Sequence, residues 1–157
     1  MKNKENIAVL IGMINEQILI LEGIVKELCE IKNNDKREIV YIGYSLHNYY
    51  CALEDILIEI ARTFENSIDD ISRYHRELLK RMTIDVPNIR PKVLSKEVFV
   101  YLDELRAFRH VFRHAYSYTL DAEKVNSIKD KLIEMHTQII SDIQKFKGFL
   151  EEIVRHI

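Results

Sequence analysis

The segment from Ser95 to Tyr116 reads SKEVFVYLDELRAFRHVFRHAY, and its apolar residues recur with the period of an α-helix. On a helical wheel of about 100° per residue with Val98 at zero, the apolar side chains fall within an arc from about −100° to +40°. The members of this predicted buried face are Val98, Tyr101, Leu102, Leu105, Phe108, Phe112 and Ala115. Ser95 followed by Glu97 predicts the helix start, because a hydroxyl caps free backbone N–H groups and an acid suits the first turn.

The same apolar period recurs on both sides of this segment. The further predicted helices run from about Lys4 to Asn33, Arg37 to Phe64, Asp69 to Met82 (the shorter one) and Ala122 to Arg155, the last capped by Asp121. Pro87 and Pro91 place the main loop at Thr83 to Leu94, since proline lacks a backbone donor. Helices joined mostly by short connections favour an all-α, up-and-down bundle of four long helices and one shorter helix, in a single domain over residues 1–157.

The composition limits the classes of function. The net charge of the 157 residues is −2, so there is no general basic field for nucleic acid and any anion site must be local. The apolar run Ile7–Ile14 is too short to span a membrane and lacks a signal-peptide cleavage site, which predicts a cytoplasmic protein without a membrane segment. Cys29 and Cys51 lack metal or redox spacing and are interpreted as small buried hydrophobes in a reducing compartment, with a disulfide as the alternative.

The Ser95–Tyr116 segment also carries a basic stripe beside its apolar face. On the same wheel Arg109, Arg113, Arg106, His110 and His114 lie at about 20°, 60°, 80°, 120° and 160°. No acid occurs between Leu105 and Leu120. Arginine offers forked donors that suit phosphate, so the stripe predicts a local anion site.

The basic stripe has two other interpretations. The arginines would form an ordinary solvated face if they pair with acids, for which the candidates are Glu54, Asp55, Glu59 and Asp103. His110 and His114 have the i, i+4 spacing of metal ligands, but they lack a third ligand and the His-Glu-x-x-His pattern. We therefore predict neither a metal nor a cofactor.

Arginine and histidine together suit RNA cleavage without a metal. A histidine near neutral pKa transfers a proton, an arginine neutralises the charged transition state, and the 2′-hydroxyl of RNA supplies the nucleophile. Arg109 and His114 are about 140° apart around a regular helix, so they would flank a groove and not lie side by side. Two chains paired across a shared cleft would supply two such sets of residues.

At these residues the chain resembles a known family. Arg109-His110-Val111-Phe112-Arg113-His114-Ala115-Tyr116 matches the Arg-x4-His-x-Tyr motif of HepT-type toxins, which belong to the HEPN superfamily of helical ribonucleases. The segments His75–Leu79, Val86–Pro91 and Phe108–Asp121 are similar to a HepT-like branch, and the resemblance covers roughly residues 40 to 150.

The resemblance implies a HEPN helical bundle that works as a homodimeric endoribonuclease toxin and leaves 2′,3′-cyclic phosphate ends. Arg109 would stabilise charge and His114 would handle the proton. Tyr116 would be the tyrosine that a partner nucleotidyltransferase antitoxin modifies with AMP. The residues expected to support binding of RNA phosphate are Arg106, His110 and Arg113.

The chain differs from the shortest HepT toxins by an extra loop and helix before the motif helix. This insertion leaves open a different substrate or the loss of nuclease activity. His75 is either an auxiliary site residue or a partly buried structural histidine. The alternative functions are a non-catalytic helical partner, or substrate-binding subunit, of a nucleotidyltransferase and a plain scaffolding bundle.

Overall fold

The computed structural model describes residues 4–31, 35–65, 74–113 and 120–156, and most of them are helical. The helices are α1 (Lys4–Glu30), α2 (Lys36–Phe64), α3 (His75–Arg81), α4 (Lys96–Arg113) and α5 (Ala122–His156). The prediction of an all-α bundle with four long helices and one shorter helix is confirmed. The buried apolar residues of all five helices form one core cluster.

Helix α1 packs against α2 and α5 through one apolar stripe. The buried members of that stripe are Ile7, Leu10, Ile14, Ile18, Leu21, Val25 and Leu28. By length and composition α1 is apolar enough to cross a membrane, although the run Ile7–Ile14 alone is too short. The core helix of a soluble protein passes the same test, and α1 packs its buried stripe into the core of the bundle.

Side chains at the helix starts satisfy backbone N–H groups that the helices leave free. Asp121 Oδ1 accepts from the backbone N of Glu123 at 3.0 Å, as the sequence predicts. Ser95 Oγ accepts from Val98 N at 3.4 Å, and Asp142 on α5 in turn accepts from the hydroxyl of Ser95 at 2.9 Å. The start of α4 is therefore fixed to α5.

Two predicted boundaries and one predicted environment were wrong. Helix α1 ends at Glu30, three residues before the predicted Asn33. Helix α3 begins at His75 and not at Asp69, because Tyr74 has non-helical dihedral angles (φ −125°, ψ 31°) and its carbonyl accepts the first helical hydrogen bond. Cys29 is a free, exposed thiol and not a buried one, while Cys51 is free and half-buried.

The loop between α3 and α4 is built around the buried side chain of Arg90. Its guanidinium donates to Glu65 Oε1 at 2.6 Å and to the carbonyls of Arg81, Ile84 and Pro91. These bonds hold the loop against the C-terminal end of α2. Through Arg81 and Glu65 the loop therefore links the end of α3 to the end of α2.

Candidate functional site

Helix α4 turns its predicted apolar face into the core and carries basic residues beside it. Five of the seven predicted members are buried, Phe112 is half-buried, and Ala115 lies outside the described residues. Arg106 and Arg109 are half-buried, whereas His110 and Arg113 are exposed. The basic stripe therefore runs from the α2–α4 contact to the solvent surface.

Arg109 contacts two neighbouring residues of α2. Its Nε donates to Sγ of Cys51 at 3.4 Å, and its guanidinium carbon lies 5.8 Å from the centroid of the Tyr50 ring. Within the part of the chain that the structure describes, no carboxylate lies at ion-pair distance from Arg109. The solvated-face interpretation, in which every arginine pairs with an acid, does not hold for this residue.

Arg106 does follow that interpretation. Its Nε donates to Oδ1 of Asp103 at 2.8 Å, one turn back on α4. Arg76 on α3 reaches the other oxygen of the same carboxylate at 3.4 Å. Asp103 thus joins α3 to α4, and the Nε–H group of Arg106 already donates to a protein acceptor.

His47 on α2 is a site neighbour that the sequence analysis missed. Its ring lies 5.8 Å from the ring of Phe112, and its Nε2 lies 3.8 Å from Sγ of Cys51. Burial lowers the pKa of His47, and the positive charges of Arg109 and Arg113 lower it further. The imidazole therefore favours its neutral form more strongly than a solvent-exposed histidine does.

Close approach of α2 and α4 depends on Gly43. A Cβ atom at this position would lie 3.0 Å from Cε2 of Phe112 and 3.3 Å from Cδ1 of Leu120. Glycine thus allows the ring of Phe112 to lie directly on the α2 backbone. This contact positions the last described turn of α4.

A second polar cluster contacts Arg109 through Tyr50. Oε2 of the buried Glu54 accepts from the Tyr50 hydroxyl at 2.7 Å and is 2.7 Å from Nδ1 of His75. Burial raises the pKa of the Tyr50 hydroxyl, and the Glu54 carboxylate raises it further, so Tyr50 stays protonated and donates. His75 is half-buried and links α3 to α2.

Several sequence predictions fall outside this geometry. His114 and Tyr116 lie outside the described residues, so the structure gives no position for either. Among the described residues, no group of three His, Cys, Asp or Glu side chains is arranged to hold a metal ion. A cleft of about 460 Å³ lies at Ser95, about 21 Å along α4 from Arg109, and is lined by Lys92, Lys145, Phe146 and Phe149 among others.

The comparisons with known proteins give one family. A family model described as HepT-like protein matches residues 41–150, which include all of α3 and α4 and most of α2 and α5. Comparison with curated proteins and with solved structures returned no match. Since the matched region covers more than half of the chain and contains the whole described site, the chain belongs to the HepT-like family of HEPN-type proteins.

Proposed function

We propose that this protein is a metal-independent endoribonuclease toxin. The observation that carries the proposal is the environment of Arg109. Its guanidinium is half-buried beside Tyr50 and Cys51 and pairs with no carboxylate of the described residues. An arginine held in this way retains its charge for an anionic ligand such as RNA phosphate.

In the proposed reaction a base takes the proton of the RNA 2′-hydroxyl, and the 2′-oxygen attacks the adjacent phosphorus. The bond from phosphorus to the 5′-oxygen breaks, the leaving oxygen takes a proton, and a 2′,3′-cyclic phosphate remains. Arg109 neutralises the charge that builds on the phosphoryl oxygens. His114 transfers the proton.

The active unit of this proposal is a homodimer with RNA in the groove between two copies of α4. On a regular helix Arg109 and His114 are about 140° apart, so one copy presents them on different sides. Residues from both copies would complete the site. Arg106, His110 and Arg113 would support the RNA backbone.

Regulation is proposed at Tyr116, two residues beyond His114. A nucleotidyltransferase antitoxin would transfer AMP to its hydroxyl and release pyrophosphate from ATP. The product carries a phosphate charge and a bulky nucleoside beside the cleft, so RNA would be repelled and excluded. The proposed location of both proteins is the cytoplasm.

The test is RNA cleavage by purified protein in the presence of a metal chelator. Wild type is expected to leave cyclic phosphate ends, and Arg109→Ala and His114→Ala are expected to leave the RNA intact. Arg155→Ala, which removes an exposed arginine at the end of α5, should cleave like wild type. Full activity in His114→Ala, or cleavage only with added metal, would overturn the proposal.

A further inference from the structure

A continuous chain of contacts leads from Arg109 to a histidine on another helix. The guanidinium of Arg109 lies over the Tyr50 ring, the Tyr50 hydroxyl donates to Glu54, and Glu54 contacts His75. Its members come from α4, α2 and α3. No part of this chain beyond Arg109 belongs to the Arg-x4-His-x-Tyr motif.

Burial of Glu54 is unfavourable in free energy, because a carboxylate loses its hydration. Glu54 is 6% exposed, and one of its oxygens, Oε2, takes both the Tyr50 hydroxyl and the His75 imidazole. A buried carboxylate costs free energy that an apolar residue of similar size would not, and its partners only partly offset that cost. Packing of α2 alone does not call for a carboxylate here, and a buried polar network of this kind holds its members in one arrangement.

The physical effect of the network is to fix Tyr50. A hydroxyl bonded to Glu54 leaves the tyrosine ring one orientation, and Glu54 is itself held by His75. The fixed ring offers its face to the guanidinium of Arg109, which is a favourable cation–π contact. A long arginine side chain loses much rotamer entropy when it is held in one position, and a preformed surface lowers that cost at the moment of reaction.

We infer that Tyr50, Glu54 and His75 are positioning residues that hold Arg109 in its reactive orientation. The inference rests on the proposed ribonuclease function and adds three residues outside the motif to that site. It also gives the extra helix of this chain a role, because α3 begins at His75 and brings its imidazole to Glu54. Helix α3 thus acts on the site through Glu54 and Tyr50.

Tyr50→Phe is the decisive variant. It keeps the ring beneath Arg109 and removes only the oxygen that bonds to Glu54, while the contact between Glu54 and His75 stays. The matched control is Tyr49→Phe, the neighbouring buried tyrosine, whose hydroxyl bonds to His136 on α5 at 2.9 Å. Both changes remove one buried hydroxyl from the same turn of α2, but only one of them faces Arg109.

For Tyr50→Phe we expect kcat for RNA cleavage to fall by roughly tenfold or more while KM changes little, since the lost interaction acts in the transition state. Glu54→Gln and His75→Gln should give the same pattern, whereas Tyr49→Phe should keep the wild-type kcat. In an Arg109→Lys background, Tyr50→Phe should cause no further loss, because the residue through which it acts is gone. Equal kcat in Tyr50→Phe and Tyr49→Phe, at similar thermal stability, would overturn the inference.

A second measurement separates this inference from the proposed function. The NMR signal of the Arg109 Nε–H group reports the ring of Tyr50 whether or not the protein cleaves RNA. The signal should shift toward its random-coil position and exchange faster with solvent in Tyr50→Phe and Glu54→Gln, but not in Tyr49→Phe. If wild type leaves RNA intact but the signal still shifts in these variants, the ribonuclease function is wrong and the positioning of Arg109 by Tyr50 and Glu54 stands. If the signal does not shift, the positioning itself is rejected.

Discussion

Nε of Arg109 and Sγ of Cys51 are 3.4 Å apart, so a thiol on α2 touches the arginine that we place in the reaction. A bulky group on this sulfur would occupy the space of the guanidinium. Alkylation of Cys51 with a maleimide is therefore expected to abolish most RNA cleavage by a Cys29→Ser variant. The measurement is residual activity against the labelled fraction, determined by mass spectrometry.

Cys29 supplies the control for the alkylation experiment. It is exposed on α1, so a Cys51→Ala variant still reacts with the reagent at Cys29. The activity of Cys51→Ala is measured before and after alkylation, and alkylation at Cys29 should not lower it. Equal inhibition of both variants would show that the Arg109–Cys51 contact does not matter.

His47 predicts a dependence of stability on pH. Its folded-state pKa lies below the ordinary value of 6.5, because burial and the charges of Arg109 and Arg113 disfavour the imidazolium. Protons then bind His47 more tightly in the unfolded chain than in the folded one. The stability that neutral His47 contributes to the folded state is therefore present above about pH 6.5 and is lost as pH falls through its folded pKa. The free energy of unfolding, measured in urea at about pH 7.5 and about pH 5.5, should fall less in His47→Gln than in wild type.

The control for the pH experiment on His47 is the same substitution at another histidine. His156→Gln removes an exposed histidine at the end of α5. In this variant the free energy of unfolding should fall between the two pH values by as much as it does in wild type. An NMR titration gives a direct check, since Arg113→Ala removes one positive neighbour and should raise the pKa of His47. If the free energy of unfolding of His47→Gln fell with pH as much as that of wild type, His47 would not be a source of the pH dependence.

The local features of the fold were predictable because they depend on neighbours in sequence. Apolar residues three and four apart identified the buried stripe of α1 and most of the buried face of α4, and the caps Ser95 and Asp121 followed from residue type. The α1 and α3 boundaries were less accurate. At Tyr74 the sequence carries no proline or glycine, so nothing local indicated that the helix starts one residue later.

The surroundings of Arg109 were not predictable in the same way. Cys51 is 58 residues away, and a helical wheel does not tell which turn of α2 faces which turn of α4. One signal was present, since Glu54 is the one charged residue on the buried face of α2 and lies one turn after Tyr50. A polar pair at i, i+4 on a buried face indicates a hydrogen-bonded network, although it does not name the third partner, His75.

Gly43 provides a test of the α2–α4 contact. In Gly43→Ala the new Cβ would lie 3.0 Å from the Phe112 ring, so the ring and the end of α4 must shift. Overpacking of this kind costs about 1–3 kcal/mol, against about 1 kcal/mol gained from the helix propensity of alanine. We expect a net loss of up to about 2 kcal/mol in the free energy of unfolding and a lower RNA cleavage rate.

Gly148 on α5 is the matched control for that substitution. A Cβ there would have nothing within 4 Å, so Gly148→Ala should gain up to about 1 kcal/mol from propensity alone. Urea unfolding of the two variants gives the comparison. Equal stabilisation by both would mean that Phe112 does not lie against Gly43 in solution.

The buried pair of Arg90 and Glu65 should dominate the stability of the loop between α3 and α4. Arg90→Met leaves the half-buried Glu65 carboxylate without its guanidinium, and three backbone carbonyls lose their donor. Loss of one partner of such a pair costs about 3–5 kcal/mol, measured as the change in the free energy of unfolding. Arg155→Met, which breaks an exposed pair with Glu152, should cost less than about 1 kcal/mol. Addition of Glu65→Gln to Arg90→Met removes the uncompensated charge and should recover part of the loss, whereas no recovery would place the whole cost in the three carbonyl bonds.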